Sequence, residues 1–230
     1  MDDVTTDAAR IGALADPTRA ALYEHVCAQR DAVGREAAAS AVGVPPHVAK
    51  FQLDRLVEAG LLEVEFRRLS GRTGPGAGRP SKLYRRAAGT VAVSLPARRY
   101  DLAGHLLAQA IERSASGIPL PEAIADTARE EGARTGAAVT GDDRPELDRL
   151  GDVLAAHGYE PQRDDDRMLL ANCPFDTLAR DHTALVCSMN RSYVQGVADG
   201  LRCVHLRAAL DPSPGRCCVT VAQADPASAA

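Results

Sequence analysis

Prolines and glycines divide the first part of the chain into short segments, and this division is the strongest constraint on how it folds. Asp16-Pro17 predicts a helix start, because aspartate caps free backbone amides and proline suits the first helical turn. A short helix is predicted over residues 35–42, and Pro45-Pro46 opens a longer amphipathic helix that Gly60 ends. A short helix, a glycine-containing turn and an amphipathic helix in this order are typical of a helix-turn-helix.

A hairpin pattern follows these helices. Residues 62–66 alternate between apolar and polar types, as a half-buried strand does, and residues 82–85 predict the returning strand. The glycine-rich run between them, residues 70–80, lacks the G-K-[ST] ending and the following helix of a nucleotide-binding loop. Residues 1–90 therefore predict a winged helix-turn-helix.

The distribution of charge indicates a nucleic-acid partner for this part of the chain. The net charge of −4 divides into +2 over residues 1–90 and −6 over the remainder. Residues 66–100 contain nine basic residues and no acidic one. Since binding depends on where positive charge lies rather than on the total, we expect this part to bind double-stranded DNA.

The DNA-contacting residues are expected on the second helix and in the hairpin, because the second helix of such a motif enters the major groove. Lys50 can contact a phosphate or a guanine edge, and arginines in a glycine-rich loop can enter a narrow minor groove. Asp54, on the same helix, repels phosphate and is expected to pair with a neighbouring residue. The candidate DNA-binding residues are Pro46, His47, Lys50, Arg67, Arg68, Arg72, Arg79 and Lys82.

The rest of the chain predicts helices followed by a small α+β region. Helical periodicity covers residues 91–158, in which the segment 98–113 is the candidate dimer contact, and residues 159–230 alternate strands and helices. The predicted fold class is α+β: a winged helix-turn-helix, a central helical dimerisation segment and a C-terminal sensor domain, paired as a homodimer that reads two half-sites. An acidic N-terminus and the lack of a ~20-residue apolar stretch predict a cytoplasmic chain without a membrane span.

Six cysteines carry the remaining chemistry, and five of them fall between residues 173 and 218. In a reducing compartment such clustering favours metal or redox chemistry, and because no C-x-x-C pair is present a zinc ribbon is not favoured. Cys173 is predicted at a strand end and at the N-cap of a helix opened by Pro174, a position that lowers a thiol pKa. Cys217 and Cys218 are predicted on one strand, so at most one of them should face a given site.

Several strings of residues resemble known regulators. Leu14-Ala15-Asp16-Pro17-Thr18-Arg19, residues 56–61 (LVEAGL) and Gly78-Arg79-Pro80 resemble ArsR-type winged-helix repressors. Asn172-Cys173-Pro174-Phe175, Val186-Cys187 and Gly215-Arg216-Cys217-Cys218-Val219 are similar to the SufR-like branch of those regulators.

The resemblance implies an iron–sulfur cluster, [4Fe-4S] or [2Fe-2S], bound by three C-terminal cysteines, and repression of cluster-assembly genes according to cluster status. By this resemblance Cys173 and Cys187 match the first two ligands, and Cys217 or Cys218 matches the third. One alternative is a regulator whose C-terminal domain binds zinc or a small organic effector. A more remote one is a cysteine-dependent enzyme with Cys173 near His182; no complete catalytic constellation accompanies that pair, so an enzyme is not predicted.

Overall fold

Residues 2–68, 80–140 and 143–224 are described by a computed structural model, with side chains described from residue 5 onwards. The chain divides into two compact units, Met1–Val93 and Ser94–Ala230. The fold is mixed α+β, which confirms the predicted class. In place of a separate helical segment ending near residue 158, the helices after Ser94 share a single core with the C-terminal sheet.

The N-terminal unit is a set of helices followed by an antiparallel hairpin. Its three-stranded sheet has the order β1-β3-β2, and Glu65 of β2 pairs with Leu83 of β3. The first helix, α1, was not predicted from the sequence. The elements are α1 (Asp2–Ala13), α2 (Pro17–Cys27), β1 (Val33–Gly34), α3 (Arg35–Val42), α4 (Pro46–Glu58), β2 (Leu62–Arg67) and β3 (Ser81–Arg86).

Local signals explain where the helices of this unit begin and end. The Asp16 carboxylate accepts a hydrogen bond from the Arg19 amide at 2.9 Å and so caps α2, as predicted. Gly43 ends α3 with φ 74°, a left-handed conformation that glycine adopts without strain. Leu22, Leu53 and Leu56, from α2 and α4, are fully buried in the core of the unit. These elements confirm the predicted helix-turn-helix with its hairpin.

The C-terminal unit packs helices against a four-stranded antiparallel sheet of order β4-β5-β7-β6. Strand β4 was not predicted, and the other three strands are shorter than, or shifted from, the predicted segments. The elements are α5 (Tyr100–Ser114), α6 (Leu120–Ala137), α7 (Glu146–Ala156), β4 (Pro161–Asp164), β5 (Arg167–Leu170), α8 (Asp176–Asp181), α9 (Thr183–Gly200), β6 (Leu206–Leu210) and β7 (Val219–Gln223). Among the described helices, none is long and apolar enough to cross a membrane.

Helices α6 and α9 pack with their backbones in close approach at glycines. A Cβ atom added to Gly132 of α6 would collide with the carbonyl oxygen of Tyr193. A Cβ atom on Gly196 of α9 would in turn collide with the carbonyl oxygen of Arg129. Because the obstructing atoms belong to the backbone, they cannot move aside as a side chain would, and the contact requires glycine on both helices.

Candidate DNA interface and cysteine site

Helix α4 presents the predicted DNA-contacting residues on its exposed side. Pro46, His47 and Lys50 are all exposed, while Ala49 and Leu53 on the other side are fully buried. The first residues of the second helix of a helix-turn-helix meet base edges in the major groove. The exposed residues at the start of α4 are positioned as such contacts require.

Phe51 was not among the DNA-contacting residues predicted from the sequence on this helix. Its side chain is 59% exposed, and the Arg55 guanidinium carbon lies 6.0 Å from the centre of its ring. An exposed aromatic ring beside Lys50 can contact a thymine methyl group. The signal was present in the sequence, since an aromatic residue on the outward row of an amphipathic helix lacks a core to pack into.

A carboxylate organises the cations between α4 and the hairpin. Asp54 Oδ2 accepts a hydrogen bond from Lys50 Nζ at 2.8 Å, and its Oδ1 accepts from Lys82 Nζ at 2.6 Å and from the Tyr84 hydroxyl at 2.8 Å. The prediction that Asp54 pairs with a neighbouring residue is confirmed. Two of the predicted DNA-contacting lysines are therefore held in ion pairs.

These contacts fix the ionisation of Asp54. Burial alone would raise the pKa of its carboxyl, but the hydrogen bonds from Lys50, Lys82 and Tyr84 outweigh burial and lower the pKa to about 2. The pKa of the Tyr84 hydroxyl is raised, because the group is buried and donates to that carboxylate. Asp54 is thus charged at neutral pH, where it offsets part of the positive charge of the surface.

The arginines of the hairpin differ in their partners. Arg67 lies 3.5 Å from the carboxylate of Glu65, whereas Arg68 has no ion pair with any described residue. Arg86, at the end of β3, likewise has none within the described ranges and is exposed. Arg72 and Arg79, predicted for the minor groove, lie outside the described residues.

In the C-terminal unit, the candidate ligands come from separate parts of the chain and meet as two pairs of thiols. Cys173 follows β5, Cys187 lies in α9, and Cys217 and Cys218 directly precede β7. Cys173 lies near Cys217, and Cys187 lies near Cys218, close enough for the members of each pair to shift one another's pKa values. Cys173 and Cys218 are half-buried, while Cys187 and Cys217 are 6% and 2% exposed.

Two expectations about these cysteines are wrong. Helix α8 begins at Asp176 with Phe175 as its N-cap, because residues 173–176 form a turn first, so Cys173 is not an N-cap residue. Cys217 and Cys218 lie before β7 rather than in it, so the alternation of a strand does not determine where their side chains lie.

The thiols differ in their pKa values because of their hydrogen bonds. Donation to Cys217, with burial, raises the pKa of Cys173, contrary to the expected lowering. The pKa of Cys217 is lowered, because its sulfur accepts from Cys173 and from the Val219 amide. Burial, with donation to Cys218, raises the pKa of Cys187 to about 12. Within the Cys173–Cys217 pair, Cys217 is therefore the thiol that loses its proton first.

Cys217 is also the most firmly held of these sulfurs. Its Sγ lies 3.2 Å from the Asn190 side-chain amide and 3.5 Å from the Val219 amide. Asn190 is itself fixed, since its carbonyl oxygen accepts from the buried Tyr159 hydroxyl at 2.6 Å.

Other groups near the thiols do not complete a single-ion site. Cys203 is buried with its sulfur 3.7 Å from the Glu146 carbonyl oxygen, and Cys27 lies in the N-terminal unit. Among the described residues, no hydrogen bond joins Cys173 to His182, and no group of three or more cysteine, histidine or acidic residues could hold a single metal ion.

A network of hydrogen bonds, here called the Arg98–Asn172 clasp, joins the start of the C-terminal unit to the cysteine site. Asn172 is 6% exposed; its Oδ1 accepts from Arg98 Nη1 at 2.6 Å, and its Nδ2 donates to the carbonyl oxygens of Ala97 at 3.1 Å and Gly158 at 2.6 Å. Arg98 Nη1 also lies 3.3 Å from the Cys173 carbonyl oxygen. The contacts of Ala97 and Arg98 link chain positions more than seventy residues apart, and no local sequence pattern indicated them.

The contact continues along both segments. The Arg99 amide donates to the Pro174 carbonyl oxygen at 3.0 Å, and the Tyr100 hydroxyl donates to Thr177 Oγ1 at 2.8 Å. Residues 97–100 are therefore attached to residues 172–177 at successive positions. Helix α5 begins at the end of the first segment, so the orientation of its first turn depends on the segment that carries Cys173.

Comparison with known proteins agrees with the fold of the N-terminal unit. A family model described as a helix-turn-helix domain matches residues 14–65, from just before α2 into β2. No curated protein and no solved structure matches the chain. The chain therefore contains a helix-turn-helix domain, followed by a hairpin, and this domain supports a role as a DNA-binding transcriptional regulator.

Proposed function

We propose that the protein is a homodimeric repressor whose C-terminal cysteines bind an iron–sulfur cluster, so that operator binding reports redox or iron–sulfur status. The observation that carries this proposal is the gathering of thiols from three chain segments beside the residues that enter α5. A regulator needs its sensing groups to contact an element that can influence DNA binding, and the Arg98–Asn172 clasp supplies such a contact.

The donor set suits an iron–sulfur cluster, [4Fe-4S] or [2Fe-2S], because cysteine thiolates are its usual ligands. Hydrogen bonds to the ligand sulfurs tune the reduction potential of such clusters. Cys173, Cys187 and Cys218 would be the ligands, since Cys218 is half-buried and lies near Cys187, while Cys217 already accepts from Asn190. A bound cluster would supply one-electron redox chemistry and sensitivity to oxidants or iron shortage.

The chain's own contacts provide two routes from the thiols to α5. Cys173 follows Asn172, so a displacement of its segment acts on Arg98 through the clasp. Cys187 lies in α9, which packs at backbone distance against α6, and α6 in turn packs against α5. Regulation follows if sensor occupancy has different free energies in the DNA-binding and non-binding arrangements of these helices.

The outward face of α5 supports the proposed dimer. Leu102 and Leu106 are buried in the core of the same unit, so they are occupied already. The exposed side carries Gly104, Ala108 and Ile111 together with His105, flanked by Asp101 and Glu112, and Ile111 is 61% exposed. Pairing through this face would place two helix-turn-helix units in one assembly, as two half-sites require.

The test of the proposed function is anaerobic purification of the full chain, followed by absorption spectroscopy, iron and sulfide assay, and titration of DNA. The operator is selected from a random duplex library, and its affinity is compared between reconstituted and chelator-treated protein. Cys187→Ser should abolish reconstitution, whereas Cys203→Ser, which alters a cysteine outside the thiol pairs, should not. Iron-free protein whose operator affinity is the same under oxidising and reducing conditions would refute the proposal. Bound zinc without iron would instead establish the zinc-binding alternative.

A further inference from the structure

We propose that Phe51 sets part of the operator sequence by packing its ring against the 5-methyl group of a thymine in the major groove. The inference deepens the proposed function and rests on its DNA-binding part alone, since it requires neither the cluster nor the dimer. It predicts a T·A base pair at one position of the bound site, a preference that lysine and arginine, which favour guanine, do not provide.

The outward residues of α4 form two rows in which neighbours are four residues apart, and one of these rows is already engaged within the protein. It contains Lys50 and Asp54. The Asp54 carboxylate accepts from Lys50 Nζ at 2.8 Å and from Lys82 Nζ of β3 at 2.6 Å. Lys50 is therefore held on the side of α4 that faces the hairpin, and it does not cover the next row.

The second row contains His47, Phe51 and Arg55, and all three are exposed. Phe51 lies at the centre of the row and is 59% exposed, whereas Ala49 and Leu53 bury the opposite side of the helix in the core. An exposed ring of this size gains free energy when another apolar group removes it from water. The centre of this row is therefore the place where α4 can contribute an apolar contact to a partner.

The position of the ring supports DNA as that partner. Residues 14–65, which include all of α4, match the helix-turn-helix family model, and the second helix of that motif enters the major groove. There the thymine methyl is the apolar group that a T·A pair presents, while the other base edges present mainly hydrogen-bonding groups. A phenylalanine on this helix therefore has one complementary feature in the groove.

The cations nearest to Phe51 along the helix are held by carboxylates. Arg55 Nη1 pairs with Glu58 at 2.9 Å, and its guanidinium carbon lies 6.0 Å from the centre of the ring. Lys50 pairs with Asp54 at 2.8 Å. A guanine contact from either cation would require its ion pair to open, whereas a thymine contact from Phe51 requires no such change. The ring is therefore the group that can read a base here without rearrangement.

The test uses the full-length chain, both as purified anaerobically and after chelator treatment, to select operators from a random duplex library. In the selected operator each thymine is replaced singly by deoxyuridine, which lacks the 5-methyl group but keeps the base pair, and affinities are measured by anisotropy. We expect one position at which the replacement weakens binding about fourfold, which corresponds to the ~0.8 kcal/mol gained on burying one methyl-sized group. In Phe51→Ala the same replacement should have no effect.

Phe66→Ala is the matched control, because Phe66 is 67% exposed in the same unit but lies on β2. This variant should keep the effect of deoxyuridine that the wild type shows. Alanine is favourable at an exposed helix position, so Phe51→Ala should retain its helical circular dichroism.

The outcomes separate this inference from the proposed function. A deoxyuridine effect that is the same in wild type and Phe51→Ala, or absent at every thymine, overturns the inference and leaves DNA binding in place. A Phe51→Ala chain that keeps the effect but loses self-association would instead assign the ring to a second copy of the chain. Protein that shows the Phe51-dependent effect but binds no cluster refutes the proposed function alone, and a chain that selects no duplex in either form overturns both.

Discussion

Replacing Asn172 with alanine removes the side chain that joins the start of α5 to the cysteine site. Two neutral hydrogen bonds, to Ala97 and Gly158, and one from the charged Arg98 are lost together. A neutral bond contributes about 1 kcal/mol net and one to a charged group about 1.5–3 kcal/mol. These contributions sum to about 3.5–5 kcal/mol, and because Arg98 keeps its contact with the Cys173 carbonyl we expect the lower end of this range as the loss in the free energy of unfolding.

The assay is urea unfolding of the wild type and the variant at equal concentration, with the slope against denaturant checked for equality. Gln162→Ala, at an exposed position on β4, is the matched control and should stay within about 0.5 kcal/mol of wild type. Asn172→Asp should fall between, because it keeps the acceptor for Arg98 and loses both donations to backbone carbonyls. If Asn172→Ala were as stable as the control, the expectation that the Arg98–Asn172 clasp stabilises the fold would be refuted.

A double-mutant cycle that combines Asn172→Ala with Arg98→Met measures the coupling energy between these two residues separately from their other contacts. Residues in direct contact typically couple by 0.5–3 kcal/mol, whereas independent sites add within about 0.5 kcal/mol. The same variants, loaded with cluster and free of it, should show a smaller change in operator affinity on loading than the wild type. Additive stabilities and an unchanged affinity ratio would show that the signal reaches α5 by another route.

Three further perturbations follow from the structure. Asp54→Asn should free Lys50 and Lys82 to contact phosphates. Two added phosphate contacts would steepen the slope of log affinity for DNA against log salt concentration by up to about 1.8. An unchanged slope in anisotropy titrations would contradict this expectation. The pKa of the Asp54 carboxyl is lowered to about 2 in the folded chain. The stability that its charged form contributes is therefore present above the ordinary pKa near 4 and is lost as pH falls through about 2. On acidification the wild type should lose more stability than Asp54→Asn. Gly196→Ala should lower the free energy of unfolding by several kcal/mol, since its Cβ atom would collide with the backbone of α6. Gly12→Ala has open space around the added Cβ atom and should be neutral or stabilising by up to about 1 kcal/mol. Thermal unfolding of the two variants would compare these effects. Ile111→Glu should convert the dimer to monomer in analytical ultracentrifugation without loss of helical circular dichroism, and a dimer that persists would exclude the outward face of α5 as the interface.

The helix-turn-helix was predictable because its determinants are local. The Asp16 cap, the left-handed Gly43 and the prolines before α4 each act within a few residues of the boundary they set. Helix α1 and strand β4 lack such local signals at their ends. Helix α1 has few apolar residues, and β4 is a four-residue, mostly polar edge strand. Strand β4 pairs with β5 across a two-residue turn, but its mostly polar residues show no alternation that marks a strand.

The cysteine site was predictable in its members and not in its arrangement. The clustering and residue types identified Cys173, Cys187, Cys217 and Cys218 as one chemical group. Their pairing depends on the register of β5 against β7, and the irregular residues before β7 bring Cys217 and Cys218 to the same site. Local rules of capping and alternation fail there, because the backbone follows neither a helix nor a strand.

The glycine contact between α6 and α9 determines how this regulator can be recombined with others. Helix α9 carries Cys187, but its packing surface is built for the backbone of α6 and tolerates no side chain at Gly132 or Gly196. A chimera cut at residue 158 would transfer the thiols without the helix that α9 needs, and the transplanted segment would meet a foreign helix with side chains in the way. A graft that begins at Ser94 carries both helices, so the smallest piece that can be exchanged intact is the whole C-terminal unit.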